Sequence, residues 1–357
     1  MTRYSQGMTP LENVRLAEHC TLGVGGPARF FVEARDEAAV LEALNWARAR
    51  QLPIRVLGGG SNLVVADEGI DALVLKIALR GLDTREAHGV VEVTAAAGEP
   101  WDELVELCVD HGWAGFECLS GIPGLVGATP MQNVGAYGQE VSETVILVRA
   151  LDTCTARIMT FENRECRFGY RDSMFRSDEP GRYVILSVVY RLRPRGAPTV
   201  CYADVDKELA ARGVAKPALA DVRAAVLAIR RSKSMVLDPQ DVNRRSCGSF
   251  FTNPIIPEAE LAAVEARAGD LAMPRWPLPG GQIKLSAAWL IERAGYTRGF
   301  TDGPVGLSSN HALAIVAHDE ARARDVVAFA LRVQAAVIDR FGVRLTPEPV
   351  FWGVPAP

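Results

Sequence analysis

Apolar positions change period along this chain, and the changes mark out its elements. In the first eighty residues, Phe30-Phe31-Val32 reads as a strand. Asp36 then stands where a helix cap belongs, and Val40, Leu44 and Ala47 follow at spacings of four and three, the repeat of one helix face. Residues 54–57 read as a strand running into Gly58-Gly59-Gly60-Ser61-Asn62, and Leu63-Val64-Val65 and 73–77 as further short strands. Val90-Val91-Glu92-Val93 opens a second, strand-rich block. There Pro100 sits at a helix start, and Trp101, Leu104, Val105 and Cys108 share one helical face. A glycine-rich stretch over 115–138 separates this helix from β-branched strands at 145–150 and 184–192. The third block turns helical. Asp221 is the expected cap for a helix bearing Val222, Val226 and Ile229, and after prolines 274, 277 and 279 further helices are expected at 286–294 and 321–338. The second of these carries Val326, Phe329, Val333 and Val337 on one side, and a last strand is expected at 349–352.

Composition narrows the class without naming it. The 357 residues, 48% of them hydrophobic, suffice for two or three domains with sizeable cores. A net charge of -4 and the lack of any long basic run argue against a nucleic-acid partner. The densest basic stretch, Arg230-Arg231-Ser232-Lys233, is short enough to serve one anionic small molecule, or to be a solvated helix end. Residues 1–20 lack an apolar core flanked by basic residues, and no apolar run reaches the length of a membrane span, so a cytoplasmic protein without a membrane partner is expected. Cysteines 20, 108, 118, 154, 166, 201 and 247 are odd in number and form no CxxC pair, and the five histidines have no metal-ligand spacing. Neither a disulfide framework nor a metal site is expected.

Candidate chemistry lies in the glycines. Glycine lets a backbone approach a ligand closely, and successive N–H groups in such turns form anion-binding concavities. Neither the 58–62 loop nor the six glycines over 115–138 match a dinucleotide GxGxxG or a Walker loop. Taken alone, Gly58-Gly59-Gly60-Ser61-Asn62 is as well explained by a tight turn. The longer stretch carries little charge and is too long for an ordinary surface loop.

The resemblance that resolves this is carried by several motifs in order. Leu57-Gly58-Gly59-Gly60-Ser61-Asn62-Leu63 is followed by Ile122-Pro123-Gly124-Leu125-Val126-Gly127 and by Gln132-Asn133-Val134-Gly135-Ala136-Tyr137-Gly138. Then come Phe168-Gly169-Tyr170-Arg171-Asp172-Ser173, Gly248-Ser249-Phe250-Phe251-Thr252-Asn253-Pro254 and Leu345-Thr346-Pro347-Glu348. Together they cover nearly the whole chain and resemble the UDP-N-acetylenolpyruvoylglucosamine reductase family, type I-like. The resemblance implies an α+β fold: a two-part FAD-binding module of the vanillyl-alcohol-oxidase/PCMH type plus a smaller α/β substrate-binding domain. On that basis the expected segments are 1–80 and 81–216 for FAD, 217–340 for substrate, and a C-terminal return at 341–357. The implied activity is reduction of UDP-N-acetylglucosamine enolpyruvate to UDP-N-acetylmuramate in peptidoglycan precursor synthesis, by a monomer using FAD and NADPH. A flavin-dependent alcohol oxidase of the same superfamily is the alternative.

The reaction states what the site must supply. Hydride adds to the terminal carbon of an enol ether, and negative charge spreads into the adjoining carboxylate. Cationic donors are needed there, and a proton donor at the neighbouring carbon. The resemblance assigns Arg171 to the carboxylate, Ser249 to the proton, and Glu348, itself holding a proton, beside the same carboxylate. By spacing alone these read as an ion pair with Asp172, a turn serine and a solvated glutamate. Gly58, Gly59, Gly60, Ser61, Asn62, Ile122, Pro123, Gly124, Gly127, Asn133, Gly135, Ala136 and Tyr137 are the implied cofactor contacts. Tyr202, Lys233 and Asn253 are the implied contacts to the UDP-sugar. Tyr202 reads equally as a mobile-loop tyrosine or a half-buried strand residue. Three positions depart from the family pattern: Cys20, Cys247, and Pro349, whose missing N–H puts local hydrogen bonding in question.

Overall fold

The computed structural model describes residues 8–269 and 271–357, and the chain forms two compact units. The first gathers Ala28–Gly59 and Asp71–Val236 with residues 8–14. The second gathers Arg15–Pro27, Gly60–Ile70 and Leu237–Pro357. The helix Leu219–Ser232, from the segment expected to bind substrate, folds with the first unit.

The first unit is built on two sheets. One has the order Leu11–Arg15, Pro27–Ala34, Ile70–Ile77, Ile54–Leu57, the last pair parallel. Helix Glu37–Arg48 starts where expected: Asp36 Oδ1 accepts the Ala39 N–H at 2.7 Å, and Val40, Leu44 and Ala47 are buried. The larger sheet is antiparallel, in the order Ile158–Glu162, Val145–Asp152, Tyr183–Pro194, Val90–Ala96, Leu82–Ala87. In Val90–Ala96 the alternation is clean, with Val91, Val93 and Ala95 fully buried. Helix Trp101–Asp110 follows Pro100, which sits just outside it in extended conformation. Asp221 corrects the cap assignment: Ala218 is the capping residue, and Asp221 reaches back from the first turn to accept the Ala218 N–H at 2.8 Å.

An aromatic group in this core fixes the second glycine loop. Trp101 and Tyr190 pack edge-on against Phe116, with centroids at 4.9 and 5.0 Å. Their polar tips end on the loop: Trp101 Nε1 donates to Leu119 O at 3.1 Å, and the Tyr190 hydroxyl lies 2.8 Å from Thr129 Oγ1. Full burial pushes the Tyr190 phenol up, so it stays a neutral hydroxyl.

The second unit packs two three-stranded sheets with helices Glu258–Ala268, Ala287–Arg293 and Ala323–Phe341. The expected face of the long helix, Val326, Phe329, Val333 and Val337, is fully buried. The helix runs from Ala323 to Phe341 rather than over 321–338, for reasons visible at both ends. Asp67 accepts the Ala323 and Arg324 N–H groups at 2.7 and 3.1 Å, placing a carboxylate at the positive helix end. Gly342, at φ 72°, closes the other end. The C-terminal strand Val350–Trp352 pairs in parallel with Leu63–Val65.

Candidate active site

In the first unit the glycine loops meet backbone to backbone. A Cβ on Gly59 would lie 2.9 Å from Gly124 Cα, so any side chain there forces the loops apart. Gly58 is different: a Cβ would touch only Leu125 and Ala128, at 3.9 and 4.0 Å. Gly127 packs on Ala97, where a Cβ would sit 2.6 Å from Ala97 Cβ. Asp102 accepts the Gly121 N–H at 2.6 Å and binds Arg223 in a two-pronged ion pair at 2.6 and 3.1 Å, which anchors the turn before Ile122, Pro123 and Gly124.

The next turn is held in strained backbone. Asn133, Tyr137 and Arg171 have φ of 44°, 48° and 56°, left-handed values that glycine and, less readily, asparagine adopt and that disfavour Tyr137 and Arg171 most. Asn133 is buried and its amide is fully engaged, donating to Glu140 Oε2 (2.7 Å) and Gly169 O (3.0 Å) and accepting from Ser142 N (3.1 Å). Its side chain braces the loop. Arg171 Nη2 donates to Gly135 O at 2.8 Å, and its guanidinium stands 5.4 Å from the Tyr170 ring. Ala136 pairs with Gln139 in the short hairpin that carries Tyr137.

Around Tyr137 the first unit collects cations and aromatic rings. Tyr137 meets Tyr202 edge-on at 5.4 Å. Tyr202 precedes helix Ala203–Ala211 and is 45% exposed, which rules out the half-buried strand reading. Lys233 pairs with Asp204 at 3.1 Å. Arg230 lies in the basic stretch that could serve one anionic small molecule but has no role of its own from sequence; its Nε is buried without a hydrogen-bond partner while Nη2 donates to Met235 O at 2.6 Å. Burial pulls its guanidinium down, and Arg171 adds like charge. A buried guanidinium with an unused donor is matched by an anionic ligand group. Glu117, also missed, is fully buried and takes N–H groups from Gly115 (2.8 Å), Gln139 (2.9 Å) and Thr199 (2.7 Å). It thereby ties the Tyr137 hairpin to the chain leading to Tyr202. Glycine loops in direct contact, with no side chain between them, fit a phosphate-bearing cofactor such as FAD.

In the second unit the assigned residues are arranged about Phe250. The Phe250 carbonyl accepts the Glu348 N–H at 2.9 Å, its N–H donates to Leu313 O at 2.7 Å, and Phe251 bridges to Pro347. Ser249 and Glu348, both half-buried, are thus carried on chain segments bonded to each other. Asn62 Nδ2 donates to Glu348 O at 3.3 Å, and Asn62 O accepts from Val350 N at 3.0 Å. Pro349 therefore falls between two bonded N–H groups, and its missing donor leaves no gap. Gly60 seats the start of this loop: at φ 65°, a Cβ would lie 1.9 Å from His19 O. Ser61 follows, half-buried. Asn253 Oδ1 caps helix Ala287–Arg293 through the Ala287 N–H at 3.0 Å, which fixes the direction of its amide. Cys247 is buried, and its thiol is pushed up to about 12 by that burial, so it is inert. The assigned set is therefore divided between units: Arg171, Tyr202 and Lys233 belong to the first, and Ser249, Asn253 and Glu348 to the second.

The chain matches two families: a FAD binding domain over residues 28–162, and the UDP-N-acetylenolpyruvoylglucosamine reductase C-terminal domain over 239–352. It is 44% identical to the UDP-N-acetylenolpyruvoylglucosamine reductase of Thermobifida fusca, over 96% of this chain and 98% of that protein. With the reductase of Saccharopolyspora erythraea the identity is 46%, over 96% of each chain. Among solved structures it matches the reductase MurB from Thermus caldophilus with a TM-score of 0.67 at 26% identity, covering 97% of this chain and 99% of that one. Similarity of this extent, over an α+β fold with the expected FAD-binding module, places the chain in the UDP-N-acetylenolpyruvoylglucosamine reductase family, whose members are FAD-containing oxidoreductases.

Proposed function

We propose that this protein reduces UDP-N-acetylglucosamine enolpyruvate to UDP-N-acetylmuramate with NADPH, supplying a peptidoglycan precursor. FAD, when bound, supplies the carrier that takes hydride from NADPH and delivers it to the terminal enolpyruvyl carbon. Gly58, Gly59 and the 121–138 loops, with Gly60, Ser61 and Asn62, hold that cofactor. Arg171 binds the enolpyruvyl carboxylate and stabilises the charge that grows there, with a protonated Glu348 as second donor. Ser249 gives its hydroxyl proton to the adjoining carbon. Tyr202, Lys233 and Asn253 hold the nucleotide and sugar, and Arg230 joins them as a donor to an anionic group.

The observation that carries the assignment of roles is the Phe250–Glu348 backbone bond, which links the serine segment to the glutamate segment. The division of labour we propose by segment is 1–80 and 81–216 for FAD, 217–340 for substrate and 341–357 for Glu348. The setting we propose is a cytoplasmic monomer. All seven cysteines are free thiols, and among the described residues no helix is long and apolar enough to cross a membrane.

Ser249→Ala tests the mechanism. Bleaching of the yellow protein by NADPH should persist, while return of colour on adding the enolpyruvyl sugar should slow by about 10²–10⁴-fold, the contribution of a positioned proton donor. Colour returning at the wild-type rate would remove Ser249 from the role.

A further inference from the structure

Ser249 has a neighbour that the reaction scheme does not use. The turn over 308–314 is braced from within, Ser308 N donating to Ala314 O at 2.8 Å and Ala314 N to His311 O at 3.1 Å. Buried Asn243 braces it from outside: Oδ1 accepts the Ser309 N–H, and Nδ2 donates to Ser309 Oγ, both at 3.1 Å. The Phe250 N–H to Leu313 O bond then docks the whole turn against the Ser249 segment. His311 is half-buried in this frame, and its Nε2 lies 3.5 Å from Ser249 Oγ. That is the outer limit of hydrogen bonding, as expected of a catalytic contact before substrate tightens it.

The direction of this contact decides what it does. In serine hydrolases a histidine accepts the serine proton and makes a nucleophile. Ser249 has the opposite task, since its proton must reach a carbon atom and so cannot point at the imidazole. We propose that His311 is a positioning residue for Ser249, with its Nε2–H donating to the serine oxygen. The hydroxyl proton is then left facing the substrate. As the O–H bond breaks and the C–H bond forms, the same N–H stabilises the charge growing on the serine oxygen. One proton passes from Ser249 to carbon and one returns to Ser249 from solvent water, so the protein undergoes no redox change. The inference rests on Ser249 being the proton donor.

The test uses the FAD-loaded enzyme and follows two reactions separately: bleaching by NADPH, and return of colour on adding UDP-N-acetylglucosamine enolpyruvate. His311→Leu should slow the second by about 10²-fold, in line with removal of one donor to a developing oxyanion. Its bleaching rate and the KM for the sugar should change little. His311→Gln, which offers an N–H donor at similar reach, should restore most of the lost rate. Nitrogen NMR of ring-labelled histidine, with His311 identified by the signal missing in His311→Gln, should show Nε2 protonated. An unprotonated Nε2, a His311→Gln variant as slow as His311→Leu, or equal slowing of both reactions would each overturn the proposal. The Ser249→Ala control separates the failures. If it leaves colour return fast, the donor assignment falls and takes this inference with it. If it abolishes colour return while His311→Leu is unaffected, only this inference falls.

Discussion

In the first unit, three assigned residues that are not glycine, Asn133, Tyr137 and Arg171, sit at positive φ, whereas in the second the left-handed turn beside Ser249 is taken by Gly248 at φ 73°. Left-handed backbone costs about 1–2 kcal/mol for an ordinary residue. The first unit therefore holds its loops in shape by opposing strain with specific bonds: three at Asn133, one from Arg171 to Gly135, and a ring contact between Tyr137 and Tyr202. Among the described residues of the second unit the one non-glycine at positive φ is Glu320, which carries no assigned role, and Ser249, His311 and Glu348 are positioned chiefly by the two backbone bonds of Phe250, with Asn243 bracing the His311 turn. Loops of the first kind are sensitive to any added atom, and those of the second to loss of the packing beneath them.

The strongest way to break this contrast is Gly59→Val. The branched side chain meets Gly124 backbone at a distance no real contact permits, and backbone cannot yield as a flexible side chain can. The purified variant should carry little flavin, read from the visible to ultraviolet absorbance ratio. Full flavin content would mean that the loops do not depend on glycine contact. Asn133→Ala should have the next largest effect. It deletes three hydrogen bonds, to Glu140, Gly169 and Ser142, and keeps the unfavourable φ, so a loss of about 3 kcal/mol in denaturant unfolding is expected. A loss below about 1 kcal/mol would show that the strain is not opposed by these bonds.

How much of this was legible in the sequence depends on how local the cause is. Asp36 and the Val40, Leu44, Ala47 face could be read because cap and stripe lie within three turns of one helix. So could the long helix of the second unit, although its ends were off by two or three residues. The carboxylate that caps it, Asp67, is 256 residues away, which no local pattern reveals. Asp221 was misread for a subtler reason: an acid in the first turn and an acid at the cap leave similar traces, and only geometry separates them. Arg230 and Glu117 lie in stretches that the sequence marks, the basic run and the glycine-rich segment, but nothing local singles them out within those stretches, and nothing near His311 marks it at all. An orphaned donor, a carboxylate enclosed by N–H groups and an imidazole facing a serine all arise from partners brought from elsewhere in the chain. The glycine motifs were legible as motifs, but the touch between Gly59 and Gly124 was not.

The smallest expected effect concerns Cys247, two residues before Ser249. Its thiol is neutral in the fold, with a pKa of about 12 because burial disfavours the thiolate, well above its value in the unfolded chain. The sign follows from proton binding. Above about pH 8.5 the unfolded chain begins to release this proton while the folded chain keeps it, so stability falls as pH rises towards 12. The loss from this one group is at most about 1.4 kcal/mol per pH unit. Cys247→Ala removes it, while the other buried thiols titrate equally in both proteins and cancel. Unfolding in denaturant with reductant present, at pH 8 and at pH 10, should therefore show the variant losing less stability than the wild type over that interval. Equal losses would mean that Cys247 reaches solvent readily, and that the packing around Phe250 is looser than that of the strained loops it is compared with.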